Sequence, residues 1–379
     1  MIELVTRPSF KHSRSDSDIS TPDHGGEIWK ASSSLGIPIT SILDFSASVN
    51  PLGTSPLALD AIRTGLRSLN FYPDRNCTRL KEAITSYVPG VSSENVLVGN
   101  GSTEIIHLFA QVFLETGDEA IIPQPTFSEY EYAVLRKHAK PITSPMGSGF
   151  KLDSATVLES VTPKTRAIFL CNPNNPTSTT IAANGVQKIV EETAKRKIMV
   201  LLDECFIEFV DDHERLSLSR YSKDRENLLV LRSLTKVFGL AGLRLGYAIG
   251  EEKTISRLDR AKITWSVNTL AQIAGVAALN DTKYLGATKR LIRRERTYLN
   301  ELLPGVGISV TPPKANFLLA GLQGLITGSH LKRKLLTHRI LIRDCSGFKS
   351  LGSGFVRLAV RQRRDNLALL RALRQVLPN

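Results

Sequence analysis

The sequence predicts an α/β protein, with a mostly parallel central sheet, helices on both faces and a smaller α+β domain attached. Three observations carry this. Strand-like and helix-like segments alternate from residue 95 through the 230s, the pattern of βα units. The strand-like segments are nearly continuous apolar runs without alternation, which is how strands covered on both faces read. After about residue 255 the apolar spacing turns helical, and the tail mixes both periods.

The size of the chain agrees. Its 379 residues, 42% hydrophobic, suffice for a large core and suggest two domains. No apolar run approaches the ~20 residues of a membrane span, and the polar N-terminus lacks the apolar stretch of a signal peptide. A soluble cytoplasmic protein is expected. Cys77, Cys171, Cys205 and Cys345 are widely spaced, so neither a disulfide framework nor a metal site is expected. The net charge of +13 permits nucleic-acid binding, but no dense basic run with interleaved aromatics is present. The strongest cluster, "KRLIRRERTYL" (289–299), reads as a solvated helix face. The basic balance equally suits an enzyme whose substrate and cofactor both carry phosphate.

Taken in order, residues 1–23 read as an N-terminal arm. Residues 24–50 hold a short helical pattern and a strand ending in Asn-Pro, and are expected to pack with the small domain. "SPLALDAIRTGLRSL" is amphipathic and helical. "NVLVGNGSTEIIHLFAQVFL", "DEAIIPQPTFSEYEYAVLRKH", "TRAIFLCNPNNPTS" and "RKIMVLLDECFIEF" each start as a strand, and "NLLVLRSLTK" closes the series. The segment from 254 to 280 reads as helical. The large domain is expected over 51–265 and the small one over 266–379.

In such sheets ligands sit at the carboxyl ends of the strands. Ser102, Phe127, Asn175, Asp203 and Lys236 all fall there. A lysine at the mouth of a parallel sheet is partly desolvated, which lowers its pKa and makes the amine a nucleophile fit for a Schiff base. Arg244 and Ser233 supply a bidentate cation and a hydroxyl for a phosphate, with Thr235 between Ser233 and Lys236. Gly101, Ser102 and Thr103 form a glycine turn into a helix, an anion site by its backbone amides, although "STE" is also an ordinary helix cap. Asp203 can hold a heteroaromatic nitrogen protonated, or merely cap a turn. Asn175 can donate to a phenolic oxygen, or merely turn the chain. Phe127 can stack on a flat ring, or fill the core. Together these residues describe one ligand, pyridoxal 5′-phosphate.

The motifs "NPNNPT" (172–177), "DECFIEF" (203–209), "SLTKVFGLAGLRLGY" (233–247) and "YPD" (72–74) resemble the fold-type I pyridoxal-phosphate enzymes of the histidinol-phosphate aminotransferase group. Within it, "HGG" (24–26) ahead of "ILDFSASVNPLG" (42–53), "PTFSEYE" (125–131) and "ILIRDCSGFKSLGSGFVRLAVR" (340–361) resemble the threonine-phosphate decarboxylases of cobalamin biosynthesis. The resemblance implies that Arg357 binds the substrate carboxylate and Arg343 helps hold the charged end, with Asn50 and Asn175 also at the substrate. It implies that Tyr72 reaches the cofactor phosphate of the partner subunit, so that a homodimer shares its sites. His24 is read either as closing over the substrate phosphate or as a capping loop histidine.

Two positions depart from the group's pattern. Phe206 stands where tyrosine is usual, which leaves Asn175 alone at the ring oxygen. Ser178 stands where glycine is usual. The implied reaction is decarboxylation of O-phospho-L-threonine to (R)-1-amino-2-propanol O-phosphate. Transamination of histidinol phosphate or an aromatic amino acid is the alternative, and a non-catalytic cofactor-binding regulator is the reading from another class.

Overall fold

A computed structural model describes residues 21, 22 and 24–377; the arm expected over 1–23 otherwise lies outside the described residues. Thirteen strands are numbered in chain order: β1 Leu43–Asp44, β2 Val96–Asn100, β3 Glu119–Gln124, β4 Lys140–Pro145, β5 Thr165–Cys171, β6 Met199–Asp203, β7 Leu228–Ser233, β8 Leu245–Gly250, β9 Ser309–Val310, β10 Phe317–Gly321, β11 Ile340–Leu341, β12 Arg343–Asp344 and β13 Phe355–Ala359.

Seven of them form the central sheet, in the order β2-β8-β7-β6-β5-β3-β4. β8 runs antiparallel to both its neighbours, and the remaining pairs are parallel. β5, β6 and β7 are buried almost throughout, because helices cover both faces and water reaches neither. Two apolar clusters fill the two sides. One gathers Phe109, Phe169, Leu201, Leu229 and Leu231; the other gathers Ile168, Val186, Leu202 and Val230. Successive residues of one strand thus feed opposite cores, as the pleat requires.

Two strands were not expected. β8 follows β7 after a short turn and reads as "LGYAIG", too rich in small residues to announce itself. β4 is an edge strand, "KPITSP", and its two prolines are tolerated only because an edge has one free side. The helical reading of 254–280 also needs correcting. The chain forms two helices, Glu252–Ala261 and Thr269–Leu279, separated by a break in which Trp265 takes a left-handed φ of 59°.

The second sheet is antiparallel, in the order β12-β13-β10-β9. Beside it, β1 pairs with β11 in a separate two-stranded sheet, Ala31, Ile42 and Leu341 share a small apolar cluster, and the Ala359 amide of β13 donates to the Phe45 carbonyl. The helix Thr269–Leu279, although beyond residue 265, packs on the helices Pro56–Gly65 and Thr78–Tyr87 of the larger body. Gly275 permits this approach, since a Cβ there would stand 2.6 Å from Leu245 and 2.9 Å from Leu80. Among the described residues, no helix is long and apolar enough to cross a membrane.

Candidate active site

The carboxyl ends of β3, β5, β6 and β7 open into one cavity of about 410 Å³. Its lining includes Ser102, Thr103, Phe127, Asn175, Asp203, Thr235, Lys236, Arg244, Arg357 and His24. Each strand delivers its polar residue at or just after its last apolar residue, so the residues meet because the strands stop at one level.

Lys236 is half-buried, and Phe206 lies beside it, with Nζ 5.6 Å from the ring centroid. Burial, followed by the charges of Arg357 and Arg244, outweighs the opposing pull of Cys205 and Asp203 and brings the ammonium down to about 8. The amine is therefore available as a nucleophile close to neutral pH. Asp203 ends β6. Its Oδ1 accepts from the Cys205 amide at 2.9 Å, and its Oδ2 accepts from the Tyr130 hydroxyl at 2.6 Å. Burial still raises this carboxyl, against those bonds and the charge of Lys236.

The phosphate end is built around glycine. A Cβ on Gly101 would stand 2.8 Å from Arg244 Nη2, and a Cβ on Gly246 would stand 2.6 Å from the Ser102 amide. Both positions must stay bare for the helix Gly101–Phe113 to begin against β8, with Ser102 and Thr103 on the cavity wall. Arg244 itself has a left-handed φ of 59°, a strain of the kind that collects at ligand sites. Gly101 and Ser233 are beneath this wall rather than on it; Ser233 is buried with its hydroxyl 2.6 Å from that of Thr235.

At the opposite end, Arg357 of β13 is buried. Its Nη1 donates to Asn175 Oδ1 at 2.5 Å and its Nη2 to the Ser46 carbonyl at 2.6 Å, while Nε has no partner within the described residues. Burial lowers this guanidinium to about 10. Gly25 lies directly over it, and a Cβ at residue 25 would stand 2.3 Å from the Ser46 oxygen and 3.1 Å from Arg357 Nη2. The "HGG" motif is thus a steric requirement for laying the chain across this arginine.

Several expected residues are not on the cavity wall. Arg343 is buried on β12, across from Arg357 in the ladder, with its guanidinium 5.4 Å from the Phe348 ring. Asn50, expected at the substrate, is behind Lys236 instead. Its amide N–H donates to the Lys236 carbonyl at 3.1 Å, and its side-chain nitrogen donates to Val237 O and Thr288 Oγ1, both at 2.7 Å. With that amide spent on the protein, Asn50 positions the lysine turn. Tyr72 is 79% exposed and stacks on Trp265 at 4.5 Å between centroids, outside the cavity of its own chain.

The cavity also holds residues that sequence reading missed. Ser48 Oγ is buried without a partner among the described residues, and Glu129, Tyr130, Cys171 and Cys205 join the lining. The "SASVN" and "PTFSEYE" segments were the available signals. Ser178 explains its own departure from glycine. Its φ is 62°, and its hydroxyl accepts from the amides of Lys314 and Ala315 at 3.0 and 2.8 Å, which ties the small domain to the turn.

A half-buried lysine of lowered pKa, a buried carboxylate one strand away and a bare anion cradle fit pyridoxal 5′-phosphate. Residues 40–373 match the family model of aminotransferase class I and II. The chain is 34% identical to a histidinol-phosphate aminotransferase of Moorella thermoacetica, over 89% of this chain and 86% of that one. It is 36% identical to a threonine-phosphate decarboxylase of Salmonella typhimurium, over 93% and 96% of the two chains. The crystal structure of histidinol-phosphate aminotransferase from Sinorhizobium meliloti, in complex with pyridoxal-5′-phosphate, superposes with a TM-score of 0.85 at 23% identity, covering 97% of this chain and 98% of that one.

Proposed function

Because the chain belongs to the aminotransferase class I and II family, whose members use pyridoxal phosphate, we propose that it decarboxylates O-phospho-L-threonine to (R)-1-amino-2-propanol O-phosphate. When bound, pyridoxal phosphate supplies an electron-withdrawing ring that accepts the electron pair of a bond broken at the substrate α-carbon. Everything else falls to the chain's own residues. Lys236 holds the aldehyde carbon. Asp203, kept in place by Tyr130 and the Cys205 amide, keeps the ring nitrogen protonated. Arg244, Ser102 and Thr103 take the cofactor phosphate, with Ser233 and Thr235 in support. Phe127 covers the ring, and Asn175 faces the ring oxygen without help from a phenol, since residue 206 is phenylalanine.

Substrate selection comes from the other end. Arg357 grips the carboxylate, backed by Arg343, and His24 meets the substrate phosphate. In the reaction the bond from Cα to the carboxylate breaks, CO₂ leaves, and Lys236 delivers a proton to Cα. The single observation that carries this reading is the His24–Gly25 turn, which lies across Arg357 on the cavity wall. It sets a ring nitrogen and a guanidinium on one doubly anionic ligand. The product then passes to a reaction that joins an amino alcohol phosphate to a carboxylate, as cobalamin side-chain synthesis requires.

The second reading is transamination of histidinol phosphate. It shares every cofactor residue, and the Moorella relative supports it. A homodimer accompanies both. Phe71, Tyr72, Ile263 and Trp265 form an exposed apolar group beside the helix Pro56–Gly65, and a second copy covering it would bring Tyr72 to the partner's cofactor phosphate.

The test is to load the protein with cofactor and supply O-phospho-L-threonine without any oxo-acid. Equal release of CO₂ and aminopropanol phosphate is expected. No release, with oxo-acid-dependent turnover of histidinol phosphate, would establish the second reading.

A further inference from the structure

Glu129 joins three separate parts of the chain. Its Oε1 is 2.6 Å from His24 Nε2, and its Oε2 is 2.8 Å from His107 Nε2. His24 is in the segment before β1, His107 lies one turn beyond Thr103 on the helix Gly101–Phe113, and Glu129 begins the helix Glu129–Leu135. The carboxylate side chain is only 8% exposed, while His24 is 43% exposed. Burial alone would raise the Glu129 carboxyl, but the hydrogen bonds from His107 and His24, with their charge, override it and bring it down to about 2.

An ionised carboxylate only accepts hydrogen bonds. Each histidine therefore donates from Nε2, and Nδ1 is the second functional atom of the His24 ring. The other contacts lock the arrangement. The His24 ring stands 5.5 Å from that of Phe127, and the His107 ring meets Tyr132 edge-on at 5.7 Å. Gly26 N donates to Ser46 Oγ at 2.9 Å, so the turn after His24 is pinned on its other side as well.

We propose that Glu129 is the positioning residue of the substrate's phosphate end: its carboxylate fixes the direction of the His24 ring and clips residues 24–26 down across the cavity. His107 is its counterweight, holding the second carboxylate oxygen so that the first keeps a single direction. This arrangement is a carboxylate–histidine pair used for recognition, in which Nε2–H donates to Glu129 and Nδ1–H donates to a phosphate monoester, so the ring carries both protons when such a ligand is bound. The inference rests on the proposed substrate only in that the ligand carries such a phosphate, a property shared by O-phospho-L-threonine and histidinol phosphate.

The test uses the holoenzyme and its Glu129→Gln, His24→Ala and double variants. Two ligand pairs are compared, O-phospho-L-threonine with L-threonine and L-histidinol phosphate with L-histidinol. Whichever pair the wild-type protein turns over, the preference for its phosphorylated member should fall about tenfold in E129Q, the worth of roughly one charge-assisted hydrogen bond. The loss should lie in KM rather than kcat, and adding His24→Ala should change it little further. Equal losses for both members of the pair, or full additivity of the two changes, would overturn the proposal. Turnover of the histidinol pair alone would overturn the decarboxylase reading while leaving this test in force, and turnover of neither pair would overturn both. A second measurement needs no turnover. Amide hydrogen exchange across residues 25–36 should quicken about tenfold in Glu129→Ala at unchanged cofactor content; unchanged exchange would mean that Glu129 does not hold the segment.

Discussion

Tyr130 donates its hydroxyl hydrogen to Asp203 Oδ2 at 2.6 Å, and both side chains are buried. The aspartate proposed to hold the ring nitrogen thus has one oxygen engaged by a phenol and the other by the Cys205 amide. Tyr130→Phe removes the first bond and leaves a buried carboxylate short of a donor. A loss of about 1–3 kcal/mol in cofactor affinity is expected. Equilibrium dialysis of pyridoxal phosphate against the variant measures it, and affinity equal to wild type would count against Asp203 as the ring-nitrogen partner.

The lysine sets a pH dependence. Burial and two arginines lower Lys236 to about 8 from an ordinary value of 10.5, so its neutral form gains as pH rises through 8. Capture of pyridoxal phosphate by the cofactor-free protein should therefore accelerate across that pH, followed by the growth of the bound cofactor's visible absorbance. Lys236→Ala should abolish both the band and turnover. A capture rate that is flat from pH 6.5 to 9.5 would show that Lys236 is not the amine that reacts, those limits being about 1.5 units either side of the midpoint.

Gly25 has no room for a methyl group. Alanine there would press on the Ser46 carbonyl at 2.3 Å and on the Arg357 guanidinium. The backbone must shift, at about 1–3 kcal/mol. KM for the substrate should rise roughly tenfold or more, since the displaced parts hold its carboxylate. Steady-state kinetics, with circular dichroism to verify the fold, decides between this and a neutral change.

Behind the site, Arg232 is buried between Glu204 and Glu208, with N–O distances of 2.9 and 2.7 Å, and also donates to Ser217 and Ser219. Removing it strands two buried carboxylates. Arg232→Ala should cost about 3–5 kcal/mol in stability, read by urea denaturation. Glu204→Gln should cost less, because the guanidinium keeps its bond to Glu208.

Much of the fold was legible because both-face burial leaves a plain mark. β5, β6 and β7 each carry an unbroken apolar run of at least four residues and need no partner to be recognised. β4 and β8 escaped for opposite reasons: an edge strand tolerates proline, and a strand packed under a helix start needs glycine more than bulk. The site divides in the same way. Asp203, Asn175 and Lys236 each lie just past an apolar run, and Arg244 stands eight residues after Lys236, so local sequence points to them. Glu129 and Tyr130 carry no such sign. Their partners, His24 at one end and Asp203 at the other, are 105 and 73 residues away. A glutamate at a helix start looks like any solvated side chain until two distant histidines close on it. Asn50 shows the reverse: the resemblance implied a substrate contact, and the fold uses its amide to brace the turn at Lys236.

Arg357 is not waiting empty-handed. Two of its nitrogens already rest on oxygens of the protein, the Asn175 amide and the Ser46 carbonyl, which stand in for a carboxylate. On the proposed function, a substrate carboxylate displaces these placeholders or joins them at Nε, which has no partner among the described residues, and a fully charged group pulls harder than a neutral oxygen. On that reading an amide or ester analogue offers the arginine nothing better than it has, and should bind more weakly than the carboxylate.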